Sequence, residues 1–201
     1  MLPKALEDAI EALGRLPGVG PRTAERYAYY LFRSDKKISE NIATAISDLH
    51  DKIKSCPVTF ALIDKDEDVS PLYSGPTRDK SIVLVVEEPL DIYAIEQTHS
   101  YKGTYHVLGG VVSPIDGITP DDLHIKELSE RVKKDDVKEV IIATNPSIEG
   151  EGTALLIDRI LHEKYPDLKI TRLARGLPLG VDLSYADQIT LQAALDNRTN
   201  I

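Results

Sequence analysis

Residues 16–31 read LPGVGPRTAERYAYYL, and their types and spacing suit a phosphate-binding turn. Gly18 and Gly20 permit a tight turn with positive φ and leave the backbone unshielded, and Pro21 fits the first turn of a following helix. Amide N–H groups then point outward at a helix N-terminus, where the helix dipole favours an anion. Arg22 and Arg26 lie four residues apart and so share one helical face beside that turn. A plain helix-to-helix turn would account for the glycines but not for the arginines. Arg15, Lys36 and Lys37 extend the basic character: residues 15–37 carry +4, whereas the whole chain carries −9 and the remainder therefore −13. An evenly acidic chain would argue against a nucleic-acid partner, but a polarised one does not.

Other chemistry-bearing residues are sparse. Cys56 is the only cysteine, so no internal disulfide can form, which suits a reducing cytoplasm. The five histidines are scattered and show no ligand spacing. Glu87 in VVEEPLD, and Glu149 and Glu151 in ATNPSIEGE, each follow an apolar run that reads as a strand. In a parallel sheet such positions fall at the carboxyl edge, where these folds place their sites. From charge alone, Glu149 and Glu151 read as a solvated helix start or as an acidic docking surface.

The elements that must position these residues fall into two styles. A chain of 201 residues with 42% hydrophobic content can build one good-sized core or two small domains. Its first residues, MLPKALEDAI, have no apolar leader core, and no run approaches the roughly 18 apolar residues of a membrane span. Up to residue 53 the apolar periodicity is helical, through Leu6, Ile10 and Leu13, then Ala24, Ala28 and Leu31, then Ile38, Ile42, Ile46 and Leu49. Residues 54–79 are a string of short polar turns. From 80 to 175, apolar runs SIVLVVE, YHVL, VKEVIIAT and LKITRLA alternate with amphipathic stretches near 89–98, in a helix opened by TPDD with Thr119 as N-cap and Pro120 its first residue, and around 151–164. That alternation predicts a largely parallel sheet with both faces covered. Residues 176–201 open with the loop GLPLGVDLS and end in a short predicted helix.

LPGVGPRTAER resembles a helix-hairpin-helix element, which grips the DNA backbone without reading bases. The strand-and-acid layout resembles the Toprim domain, whose catalytic members hold Mg²⁺ with a Glu after the first strand and two aspartates after a later one. Glu87 matches the first position, but Asn145 and Ser147 stand where the aspartates would be. That exchange removes most of the charge a hard cation requires. In order along the chain, LPGVGP, VVEEPLDIYAIE, YHVLGGVVSPIDGI, ATNPSIEGE and LARGLPLGVDLSYADQITL are similar to the RecR recombination mediator family over nearly the whole chain.

The resemblance implies an α+β multidomain protein. It would comprise a helix-hairpin-helix DNA-binding domain (1–53), a turn-rich module (54–79), a Toprim domain (80–175) and an oligomerising C-terminal segment (176–201). It further implies a nucleoid-associated, non-enzymatic mediator on single- and double-stranded DNA. Such a mediator forms a dimer or a ring-like tetramer and works with RecO, and in some systems RecF, through Glu87, Glu149 and Glu151. In the family the turn-rich module is a four-cysteine zinc site. Its positions align here with Cys56, Thr59, Ser70 and Tyr73, a set unable to supply the four S or N ligands of tetrahedral zinc. The expectation is therefore a zinc-free module, held by an apolar cluster of Val58, Phe60, Leu62, Leu72 and Tyr73, with Cys56 an inert buried thiol. A metal-dependent Toprim nuclease and a scaffold that binds only protein are the competing readings.

Overall fold

The computed structural model describes residues 2–198 and divides them into two compact units, residues 2–54 with 64–66 and residues 55–63 with 67–198. The smaller unit carries helices α1 (Lys4–Gly14), α2 (Pro21–Arg33) and α3 (Lys36–Lys52). Asp35 starts α3 by accepting the Lys37 N–H at 2.9 Å. Ala24 and Ala28 are the only fully buried residues of the three helices, and their small side chains let α1 lie close against α2. The apolar face of α3 is real but uncovered: Ile38, Ile42, Ile46 and Leu49 all remain exposed.

The division between the units runs through a two-stranded ribbon, β1 (Ile53–Ser55) with β2 (Leu62–Asp64). The larger unit is built on β3 (Asp79–Val86), β4 (Gly103–Val107), β5 (Glu139–Ile142) and β6 (Lys169–Arg172), in the order β4-β3-β5-β6 with every pair parallel. β3 is one of the two interior strands, and its apolar run is what a strand covered on both faces requires: Val83, Leu84, Val85 and Val86 are all buried. Val83, Val85, Val140 and Ile142 face Leu128 and Val132 of α6 (Ile125–Lys134) and Ala154, Ile157 and Leu161 of α7 (Ile148–Lys164). On the other face, Leu84, Val86, Tyr105 and Val107 meet Ile92 of α5 (Pro89–Glu96), Ala61, and partly buried Phe60 and Leu72. Leu72 belongs to a single-turn α4 (Pro71–Ser74), and α8 (Gln188–Asp196) follows the sheet near the C-terminus.

Two boundaries differ from the sequence reading. Thr119 and Pro120 open only a 3-10 turn, Pro120–Asp122, and α6 starts afresh at Ile125. Helix α7 starts at Ile148 because the Ser147 side chain accepts the Gly150 N–H and so caps it.

The module at 54–79 is not separate. Apart from residues 64–66 and Lys54 it belongs to the larger unit, where it covers one face of the sheet, and Thr59 C=O accepts the Val107 N–H from β4 at 2.8 Å. Phe60, held at φ +59°, stacks on the His124 ring with centroids 3.7 Å apart. The expected apolar cluster is therefore only partly right. Leu62 is 54% exposed, and Tyr73 is polar in its role, donating its hydroxyl to Asp135 at 2.9 Å. That carboxylate also receives Nε of Arg131 at 3.0 Å, while the same guanidinium donates to Tyr105 C=O and Thr104 Oγ1, each at 2.5 Å, and lies over the Tyr73 ring. A second fork joins Arg78, near the end of the module, to Glu96 of α5 at 2.9 and 2.5 Å.

Arg131 and Asp135 have side chains only 4% and 5% exposed, so deleting one leaves the other buried and unpaired. Arg131→Ala should cost about 3–5 kcal/mol in denaturant unfolding, and Arg131→Leu with Asp135→Leu distinctly less, because the second change removes the orphaned charge.

A pH effect follows from His106, which is fully buried with one ring nitrogen 2.7 Å from His124 C=O and the other without a hydrogen-bond partner among the described residues. A carbonyl can only accept, so Nε2 carries the proton and Nδ1 is bare. Burial, with a smaller effect of the Arg131 charge, holds the histidine down at about 3 from an ordinary 6.5. The unfolded chain thus binds the extra proton first. Stability contributed by neutral His106 is complete above 6.5 and falls by about 1.4 kcal/mol per pH unit towards 3. Unfolding of the parent and of His106→Gln at pH 7 and pH 5 should show the parent losing more.

Candidate functional site

The helical turn leaves its glycines facing open space. A Cβ placed on Gly18 or Gly20 would meet nothing within 4 Å. Only Gly18 takes the left-handed conformation, at φ +79°; Gly20 is extended at φ −75° and serves as the N-cap of α2, which corrects the expectation for both. With no cap side chain and Pro21 at the first position, the helix N-terminus is left to an incoming acceptor. Arg22, Arg26 and Arg33 are exposed, and none has an acidic partner within 4.0 Å among the described residues. Arg15 is paired with Glu11 at 2.6 Å and Lys36 with Glu40 at 3.0 Å. Those surface pairs are weak enough to yield to phosphate. Lys37 is exposed, its backbone used by the Asp35 cap.

In the four-stranded sheet β3 lies between β4 and β5, so the chain reverses direction across the sheet there, and Glu87 and Asn145 follow the two strands at that point. Glu87 is only 8% exposed. Asn145 donates its backbone N–H to one Glu87 oxygen and its side-chain amide to the other, both at 2.7 Å. Ser147 is spent on capping α7. A Cβ at Gly150 would lie 2.2 Å from Asn145 O, so only glycine lets the chain close over this pair.

Glu151 is bound by Arg172 at 2.8 Å and by Arg175, whose hydrogen bond is the main influence holding the carboxyl below its ordinary range. A pocket of about 250 Å³ beside them is lined by Asn145, Arg172 and Arg175. Cations where ligands would stand, and a Glu87 already satisfied, do not fit a divalent metal. The same geometry corrects the docking reading: Glu87 points inward and Glu151 is internally neutralised, leaving half-buried Glu149.

Three of the four vestigial zinc positions still converge. Cys56, Thr59 and Ser70 are buried together, and the Thr59 and Ser70 N–H groups both donate to Cys56 Sγ at 3.4 Å. Burial pushes the thiol up, but the Thr59 hydroxyl and these amides outweigh it, and the balance lies below the ordinary value. Tyr73 has turned away to Asp135. One sulfur with two hydroxyls does not make a zinc site. Among the described residues no three His, Cys, Asp or Glu side chains are placed to share a metal.

The sequence reading missed Arg131, Asp135, Arg172 and Arg175. Nothing in the spacing ties position 73 to 131 and 135, because α6 brings them together across the sheet. The Glu151 pair had a faint signal in the arginines of TRLAR that follow a strand.

Three family descriptions match the chain in succession: "RecR, helix-hairpin-helix" over residues 6–50, "Toprim domain" over 81–174 and "RecR, C-terminal" over 176–199. Among curated relatives, the "Recombination protein RecR" of Moorella thermoacetica is 47% identical over 196 residues, covering 98% of this chain and 96% of the relative. Proteins of the same name from Heliobacterium modesticaldum (45%; 96% and 94% covered) and Bifidobacterium adolescentis (43%; 96% and 95% covered) are similar over comparable lengths. With its open basic turn in the matched helical region and its Glu87–Asn145 lock in the matched Toprim region, the chain belongs to the RecR family.

Proposed function

We propose that the protein is a non-enzymatic mediator of recombinational DNA repair, binding single- and double-stranded DNA through the helical hairpin without reading sequence. The observation that carries this is the row of arginines at an open helix N-terminus, Arg22 and Arg26, with no acidic partner among the described residues. The relatives' printed name supplies the recombination context. Support for a non-catalytic role comes from Glu87, whose two oxygens are taken by Asn145 in place of a cation. No helix among the described residues is long and apolar enough to cross a membrane, which leaves a nucleoid setting open to the protein.

The clamp reading follows from charge. One hairpin offers few phosphate contacts, and the rest of the chain is acidic, so tight binding calls for several hairpins on one DNA path. Two segments offer apolar surface for joining copies into a dimer or tetramer: α3 with Ile42, Ile46 and Leu49, and the C-terminal segment with Leu179, Tyr185 and Ile189. Residues 199–201 of the latter lie outside the described residues. The acidic remainder suits a basic partner of the RecO type, with RecF as a further one in systems that use it; Glu149 is the acid available without breaking an internal bond.

Arg22→Ala with Arg26→Ala should weaken binding to unrelated sequences alike and lower the salt slope by about 2, with melting unchanged. Light scattering and DNA titration at two salt concentrations check both this and assembly. A parent monomer that binds DNA tightly would sink the clamp, and magnesium-dependent cleavage would favour the nuclease.

The module is proposed to be zinc-free, since a hydrogen-bond network stands where ligands would be. Elemental analysis should find far less than one zinc per chain, and chelators should leave the melting temperature in place.

A further inference from the structure

Helix α2 has a second face that phosphate binding at its N-terminus does not use up. Its inward side is Ala24, Ala28 and half-buried Leu31. Opposite, at helical spacing, stand Arg22, Arg26, Tyr29, Tyr30 and Arg33, all exposed. The stripe runs about 16 Å along the helix at a rise of 1.5 Å per residue. Tyr29 and Tyr30 are 53% and 60% exposed, and Arg33 lies 5.9 Å from the Tyr29 ring centroid. Glu25 is the only acid in the helix and sits beside the stripe, not within it.

We propose that this stripe is a single-stranded DNA surface: Arg22, Arg26 and Arg33 meet phosphates, and Tyr30, flanked by Tyr29, stacks an unpaired base. The inference rests on the DNA-binding reading above and names which form of DNA gains the extra contact. Arginines interleaved with exposed rings are the two components that sequence-tolerant single-strand binding requires, a positive track for the backbone and a flat apolar face for bases. In a duplex the base faces are covered by their neighbours, so the arginines act on both forms and the ring on one only. A second copy of the chain is a poor occupant, because it would set three cations against three. The uncovered apolar residues suited to a copy, among them Ile42, Ile46 and Leu49, lie on α3.

The test uses the full chain, with labelled oligo(dT) and a duplex of equal length. Tyr30→Ala should weaken the single strand about tenfold or more and the duplex less than twofold. Tyr30→Phe should bind like the parent, since the ring face is kept. The chain has no tryptophan, so Tyr30→Trp makes a lone reporter, quenched by oligo(dT) and not by duplex. Unchanged melting of Tyr30→Ala excludes a folding defect. If Tyr30→Ala leaves both forms unaffected, or weakens both equally, the stacking proposal is overturned while Arg22→Ala with Arg26→Ala still tests the DNA reading. A parent that binds neither form overturns both.

Discussion

The buried guanidinium of Arg131 is the interaction on which the arrangement of the larger unit depends. It donates to Tyr105 C=O and Thr104 on the edge strand β4, and to Asp135 at the C-cap of its own helix, while Asp135 in turn takes the Tyr73 hydroxyl from the turn-rich module. A cation with several donors, fixed in a planar fork, can satisfy a backbone carbonyl, a hydroxyl and a carboxylate at once, which an apolar side chain cannot. The cost of burying the charge is met only when every partner is present. Strand, helix and module therefore hold one another in place. The module in turn supplies Phe60, Ala61 and Leu72 to the core on that face of the sheet.

Both positions where the resemblance pointed to metal chemistry hold a hydrogen-bonded arrangement among the described residues. At the carboxyl edge of the sheet, Asn145 has donors where a carboxylate has none, and it makes Glu87 a satisfied acceptor. In the module, hydroxyl-bearing Thr59 and Ser70 stand beside Cys56, and their amides point at its sulfur. In each case the polar atoms present bond to one another.

Charge is organised on the scale of the whole chain. The acids of the larger unit are largely occupied near the Toprim edge, with Glu151 held by two arginines, whereas the arginines on the outer face of α2 have no acidic partner among the described residues. Exposed cations gathered on one helical face stay hydrated and raise the local potential for an anion. The uncovered apolar side chains of α3 make the same point about shape, since a three-helix unit with two buried alanines has little core of its own.

The sequence by itself determined what depends on local pattern. The continuous run at Val83–Val86 marks an interior parallel strand, the glycine–proline turn with Arg22 and Arg26 marks an open basic helix start, and Asn145 and Ser147 mark an edge without aspartates. Each property resides in residue type and near-neighbour spacing. Only the tertiary structure decided what depends on distant partners. That Glu87 is sealed rather than offered, that Glu151 is neutralised, and that Tyr73 turns to Asp135 all require contacts across 21 to 62 positions of sequence. Nor could periodicity show that Leu62 stays outside while Phe60 lies flat on His124, because a positive φ at Phe60 redirects the chain there. Hydrophobic pattern specifies a face to be buried; which polar groups meet behind it is set by how the elements cross, and that is fixed only when they pack.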